Sequence, residues 1–306
     1  MAEYTPIPAF KGQLIFTTAY TYTKAKIHEF LDGVANDPAK YGAPVDRKAH
    51  FELLRTCIKD LDFPDGKIYK QDEPKQQILR KLNQVLLDPT IPILWIRKQQ
   101  PYFIIFDLLG VFLSLMGPAP SNATAKNYYL PLVVIYSKWC TLISPETNQS
   151  PTITQITWTK EKDQFYPFLG ASSRGYAYGT EGPPAAWTAL VQTTRHGYIK
   201  GSGVLPAKYQ NFGTSPGIEQ DAVNGTNFGN CAETYPFLYI LADKTLPINN
   251  AFGIAFKTAK VTAPAYNGAT FWHKRKGGRL PPCINCKDLI KYFGGTDDTI
   301  KNFDLA

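Results

Sequence analysis

Cysteine is scarce, at five in 306 residues. A small secreted domain stapled by disulfides carries far more, so that class is excluded. Histidine numbers four, and His28, His50 and His196 have no partner at ligand spacing. Long apolar runs are missing as well. The most apolar stretch, Tyr102 to Met116, is interrupted by Asp107 and falls short of the roughly 18 residues a bilayer span needs. It predicts a buried helix in a soluble chain, with no membrane association. The start, Met1-Ala2-Glu3-Tyr4, has no basic segment followed by an apolar run, so no secretory signal is expected. Neither sign of charge dominates. Lys and Arg total 33 against 25 Asp and Glu, a net +8, and 44% of residues are hydrophobic against 19% charged, which excludes a disordered polyelectrolyte. Glycine and proline show no repeat, which excludes collagen-like and low-complexity classes.

What is present divides the chain. From Lys24 to about Met116, apolar residues recur at helical spacing. One set is Ile27, Phe30, Leu31 and Val34. A second is Phe51, Leu54 and Ile58, with Asp46 as its expected N-cap. A third is Ile78, Leu82, Val85 and Leu86, and the 102–116 run is a fourth. Residues 1–120 therefore predict a mainly helical domain behind an extended lead-in. The loop Gly117-Pro118-Ala119-Pro120-Ser121-Asn122 marks its end. Over 121–306 the composition shifts towards strands and turns. Leu130–Tyr136, Tyr198–Leu205 and Phe252–Phe256 predict strands, 144–184 predicts turns and short strands, and Ala185–Thr194 a short helix.

Three of the five cysteines fall in the last quarter: Cys231, Cys283 and Cys286. Cys57 and Cys140 stand alone in apolar surroundings and read as core thiols. Asn230-Cys231-Ala232-Glu233 precedes the apolar run Phe237 to Leu241. Pro281-Pro282-Cys283-Ile284-Asn285-Cys286 precedes Leu289-Ile290. Each segment thus sets metal-ligand side chains just ahead of a helix-like stretch. Pro282 suits the first helical turn, and a spacing of three puts Cys283 and Cys286 on one helix face. The partial positive charge of a helix start favours thiolates. Three thiolates with an open fourth position make a catalytic zinc site, and Zn2+ is the expected cofactor. Glu233, two residues past Cys231, must straddle the helix start. There a carboxylate can take a proton from an activated water and return it to a leaving group. The competing reading is a structural zinc knot, with His273 or Cys140 as fourth ligand.

Cys231-x-Glu233 followed by Pro282-Cys283-x-x-Cys286 resembles the signature of the zinc-dependent cytidine deaminase-like superfamily. The resemblance covers roughly residues 185–306. It implies an α/β fold, a three-layer deaminase sandwich over 121–306 in which two metal-bearing helices flank a strand, here 252–256. It also implies that Cys231, Cys283 and Cys286 hold zinc and that Glu233 shuttles protons. Only about twenty residues follow Cys286, room for a helix and one short strand, Thr299 to Leu305.

The implied chemistry is hydrolytic loss of ammonia from an amino-substituted base. Three thiolates make the zinc site more negative than a His-containing one, so nearby positive charge must help, and Arg279 is the candidate. Free-nucleoside deaminases with all-Cys sites usually carry an Asn-x-Glu pair about ten residues before the first Cys. Here that stretch reads Glu219 to Asn224 and lacks the pair. His273-Lys274-Arg275-Lys276-Gly277-Gly278-Arg279, behind Phe271-Trp272, is suited to phosphates and an unpaired base. Asn227-Phe228 forms a second expected rim. The architecture is similar to the toxin-like and fungal nucleic-acid deaminases. The expected activity is therefore cytosine-to-uracil conversion in nucleic acid, with single- or double-stranded DNA favoured over RNA and an intracellular setting, cytoplasm or nucleus. The alternatives are a free cytidine deaminase and an inactive structural-zinc module that binds nucleic acid.

Overall fold

The apolar spacing at Ile27, Phe30, Leu31 and Val34 forms α1 (Lys24–Asn36), whose start is capped by Thr23. The set around Phe51 forms α2 (Lys48–Leu61). Its N-cap is Arg47, because Asp46, the expected cap, lies in a preceding 3-10 turn, Val45–Arg47. Asp32 of α1 pairs with Arg55 and Lys59 of α2, and His28 meets Asp62 at 2.6 Å. The computed structural model describes residues 4–62, 104–143, 150–161, 163–173, 195–197, 199–200, 229–242, 248–274 and 276–304. The expected helix around Ile78 to Leu86 and that over Ala185–Thr194 lie outside the described residues.

The 102–116 run forms α3 (Ile105–Ser114), buried along its whole length. The segment expected as a strand, Leu130–Tyr136, is instead the start of α4 (Leu130–Leu142). Every side chain over 130–137 is buried, and the half-buried Lys138, Thr141 and Leu142 come only after it. No polar stripe therefore marks the 130–136 run as helical, and a short apolar run is the same signal for a buried strand. Pro131 sits in its first turn, and the entry is set by a Thr124–Asn127 capping box. Tyr136 donates to the Phe106 carbonyl at 2.7 Å and Trp139 to the Ala19 carbonyl at 3.0 Å, which locks α4 to its neighbours.

The sheet is antiparallel, in the order β2-β1-β3-β4. Its strands are β1 (Ile153–Glu161), β2 (Gln164–Ala171), β3 (Ala251–Lys257) and the short β4 (Arg279–Leu280). β1 pairs on both sides, Thr154 opposite Ala171 and Phe256. Both of its faces are buried. Thr154 and Trp158 face α4, where Ser137 bonds Thr154 and the ring of Tyr129 stacks on Trp158 at 4.0 Å. Gln155 and Thr157 face the opposite way, together with Gly253 and Phe303. α3 also closes the edge of β2, where Ser114 Oγ accepts from the Leu169 amide at 2.8 Å.

α5 (Thr234–Ala242), α6 (Ile284–Tyr292) and α7 (Asp297–Asn302) follow, beside two short helical pieces, Phe16–Ala19 and Gly268–Trp272. α5 packs on β1 and β2, and α7 on β3. The fold is thus mixed helix and antiparallel sheet, with helices on both faces. The expected strand at Thr299–Leu305 is replaced by α7. Thr296 caps it, and Asp297 and Asp298 fill its first turn, the charge arrangement a helix start favours. Of the strand expected over Tyr198–Leu205, only 199 and 200 are described, and they are helical. One cluster of buried apolar side chains runs from Ala9 to Phe303 and draws on helices and strands of both chain halves. No helix among the described residues is long and apolar enough to cross a membrane.

Candidate metal centre

Cys231-Ala232-Glu233 forms the turn that enters α5. Thr234 Oγ1 donates to the Cys231 carbonyl at 2.8 Å, and the Glu233 carbonyl accepts from Phe237 at 2.9 Å. Cys231 therefore stands outside the helix and Glu233 at its threshold, which is the straddle their spacing requires. The turn is seated on the end of β2. Ser173 donates from its amide to the Asn230 carbonyl and from its hydroxyl to Asn230 Oδ1, both at 3.1 Å. Gly170 lets the Ala232 carbonyl and Pro236 press onto the strand.

The second pair of cysteines comes from the start of α6. Cys283 is its N-cap residue and Cys286 lies in its first turn, so Pro282 precedes the helix instead of opening it. Along the chain, β3, the short helix Gly268–Trp272 and β4 lie between the two Cys-bearing helices. Cys231 Sγ lies 3.3 Å from Cys283 Sγ, which lies 3.4 Å from Cys286 Sγ, and all three sulfurs fall within 4.8 Å of one another. Sulfurs around a tetrahedral zinc, with bonds of about 2.3 Å, sit nearly as close. Cys286 is buried, Cys231 half-buried and Cys283 exposed, which gives the group an open side. Neither Cys140 nor His273 belongs to it.

The electrostatics suit a metal. The Cys231 and Cys286 thiols beside Cys283 hold it well below the ordinary thiol range, and the amides of Cys286 and Asn285 at the start of α6 add to this. The hydrogen bond to Cys283 pushes Cys231 up, and burial pushes Cys286 up. Thiols held this close to one another gain by exchanging their protons for a cation. Glu233 is 5% exposed, and burial, then the Cys283 charge, push its carboxyl up to about 7. Its carboxyl bonds Cys286, so the acid touches the group of three sulfurs without belonging to it.

The residues expected to bind substrate divide. His273, Lys274 and Lys276 are exposed, in the loop that leads through β4 to Cys283. Lys274 pairs with Asp304 at 3.0 Å. Arg279 differs from expectation, because it is 6% exposed. Its Nε donates to the Trp272 carbonyl and its guanidinium lies 3.8 Å from the centre of the Trp272 ring. Arg279 is a strut of the loop and not an exposed cation, since a residue on a sheet edge facing a half-buried indole is drawn inward. Trp272 also has Lys126 over its ring at 5.2 Å, so the indole expected as a stacking platform is already partnered. Asn227, Phe228 and Arg275 lie outside the described residues. Asn230, Ser173 and Gly170 position the Cys231 turn, and sequence reasoning did not single them out. A glycine inside a strand pattern was the available signal. No protein-family profile, no curated protein and no solved structure matches the chain.

Proposed function

We propose that the chain is a zinc-dependent deaminase converting cytosine to uracil in nucleic acid. The observation that carries this reading is the convergence of three sulfurs from two helix starts beside one buried carboxylate that is not a ligand. A structural zinc knot has no use for Glu233 and needs a fourth ligand. The order of helix, strand and helix, with further helices behind the sheet, supports the same superfamily resemblance.

Cys231, Cys283 and Cys286 would hold the zinc, and the bound ion would lower the pKa of a water and polarise the base. The rest belongs to the chain. Glu233, in its buried setting, would take one proton from the water and pass it to N3 as the C4–O bond forms. It would then carry the remaining hydroxyl proton to the exocyclic nitrogen, so that the C4–N4 bond breaks and ammonia leaves uracil behind. The α5 and α6 helix starts stabilise the negative charge of the thiolates. His273, Lys274 and Lys276 flank the chain leading to Cys283 and would follow a phosphate backbone, with DNA the favoured polymer. One observation favours the second reading, a free cytidine deaminase. Arg279 is interior and Lys274 already has an acidic partner, which leaves fewer cations for phosphates.

The test is incubation of the zinc-loaded protein with single- and double-stranded DNA, RNA and cytidine, with uracil or uridine read by mass spectrometry. Glu233→Gln is expected to keep its zinc and lose about 10²–10⁴-fold in rate. A Glu233→Gln protein as active as the parent sinks the deaminase reading. Substituting His273, Lys274 and Lys276 by Ala should flatten the salt dependence of oligonucleotide binding, by up to about 0.7 for each phosphate that is no longer neutralised. Unchanged affinity there selects the nucleoside.

A further inference from the structure

Arg195 lies far from the cysteines in sequence and is 0% exposed. Its counter-charge is Asp107 of α3, also buried. Nη1 donates to the carbonyl of Ala171, the last residue of β2, at 2.9 Å, and to the carbonyl of Gly229 at 3.4 Å. The guanidinium carbon stands 5.2 Å from the centre of the Tyr235 ring, in the first turn of α5. One side chain thus touches α3, the end of β2, the residue two before Cys231 and the residue two after Glu233. Gly229 has φ +94, a backbone turn that sends the chain back towards the cysteine.

A buried ion pair is costly to desolvate, and a well-packed apolar pair often stabilises a core as well or better. What the pair does supply is direction. A guanidinium presents donors in a fixed planar fork, so Nη1 can hold the two carbonyls while Nη2 holds the Asp107 carboxylate, a set geometry that the single nitrogen of an ammonium lacks. We infer that Arg195, held by Asp107, is the positioning residue of the 229–233 turn, fixing Cys231 and Glu233 against β2 so that the three sulfurs converge before the metal arrives. As a proposal about metal geometry it rests on the metal-centre reading. It assigns Arg195 no contact with substrate.

The test uses the full chain with Co2+ as the probe, since thiolate-to-cobalt absorption reports the sulfur ligands directly. Arg195→Met combined with Asp107→Leu fills the same space and leaves no lone charge. The expected result is Co2+ affinity reduced at least about 10-fold, with faster amide exchange at residues 229–233 and unchanged exchange in α4. A purely structural loss would instead speed exchange throughout the core. Arg195→Lys keeps the charge beside Asp107 and removes the fork. It too is expected to weaken Co2+, by about 10-fold, and it decides the matter alone if the double variant does not fold. Parental Co2+ affinity together with parental exchange at 229–233 in either folded variant overturns the assignment. If the parent itself shows no thiolate-to-cobalt absorption, the metal-centre reading fails. The exchange of 229–233 in the variants then decides the role of Arg195 independently.

Discussion

A methyl group at position 170 would collide with the Ala232 carbonyl oxygen and land 2.7 Å from Pro236 Cδ. Backbone cannot swing aside as a lysine tip can, so Gly170→Ala must push the 231–233 turn off β2. It is expected to destabilise the protein by about 1–3 kcal/mol and to weaken Co2+ binding, read by urea titration and cobalt absorption. A variant as stable and as tight-binding as the parent would show that the turn has slack. The cysteines are also distinguishable one by one. Cys283 is exposed and held below the ordinary thiol range by its neighbours, whereas burial pushes Cys140 well up, and Cys57 is also buried. Iodoacetamide on the metal-free native protein should therefore modify Cys283 first, and added Zn2+ should protect it. Peptide mass mapping checks this, and modification of Cys140 at a comparable rate would contradict the burial. At this scale the sequence was legible where chemistry depends on residue type at short spacing. Cys231 with Glu233, and Cys283 with Cys286, needed only local geometry to be read. Arg279 was not legible, because whether a cation faces water or an indole depends on a residue seven positions away and on the sheet edge between them.

At the scale of elements, the helices with one apolar stripe were readable, as was the fully buried α3 from the length of its apolar run, whereas α4 was not. α1 and α2 alternate faces at a period of 3.6, while α4 is apolar all round and carries no periodic signal. α7 was missed for a different reason. Its run Asp297 to Asn302 is short and polar, and what defines it is the cap at Thr296, whose Oγ1 accepts from the Thr299 amide at 3.3 Å. Thr296→Ala is expected to cost about 1 kcal/mol. Phe303, just past α7, packs edge-on to Phe237 of α5 at 5.6 Å and lies over Gly253 of β3. Phe303→Ala should cost about 3–5 kcal/mol, because the aromatic ring it removes joins three elements. The comparison is a pair of chemical denaturation curves. A loss for Phe303→Ala no larger than that for Thr296→Ala would mean that α7 does not brace the sheet.

For the whole molecule, α3 joins the part before residue 120 to the sheet, with α1 and α2 packed behind it. α3 supplies Ser114 to the edge of β2, the Phe106 carbonyl to Tyr136 and Asp107 to Arg195. A chain beginning at residue 122 would lose all three. It would expose a strand edge with a row of unpaired backbone groups and leave Arg195 as a buried cation with no counter-charge, a loss of about 3–5 kcal/mol by itself. Such a chain is expected to aggregate, as read by size-exclusion chromatography and light scattering. A monomeric truncation that binds Co2+ as tightly as the full chain would show that the two parts are energetically separate. None of the four residues proposed to hold zinc and move protons lies before Cys231, so on that reading the coupling runs through stability and not through chemistry.

The sequence by itself determined the identity and order of the chemical groups: three cysteines and a glutamate, each pair ahead of an apolar run that becomes a helix, and β3 between them. Those features are local, set by capping, helix starts and strand alternation over fewer than about ten residues. Only the tertiary structure decided which face of the sheet α5 covers, that α4 and α3 form the opposite layer, and that Arg279 turns inward while Lys276 stays in water. It also brought Asp107, Ala171, Arg195 and Gly229 to one point. Burial and long-range hydrogen bonding are properties of the assembled chain. The same apolar heptapeptide or the same arginine serves several structures equally well until the surrounding layers close over it.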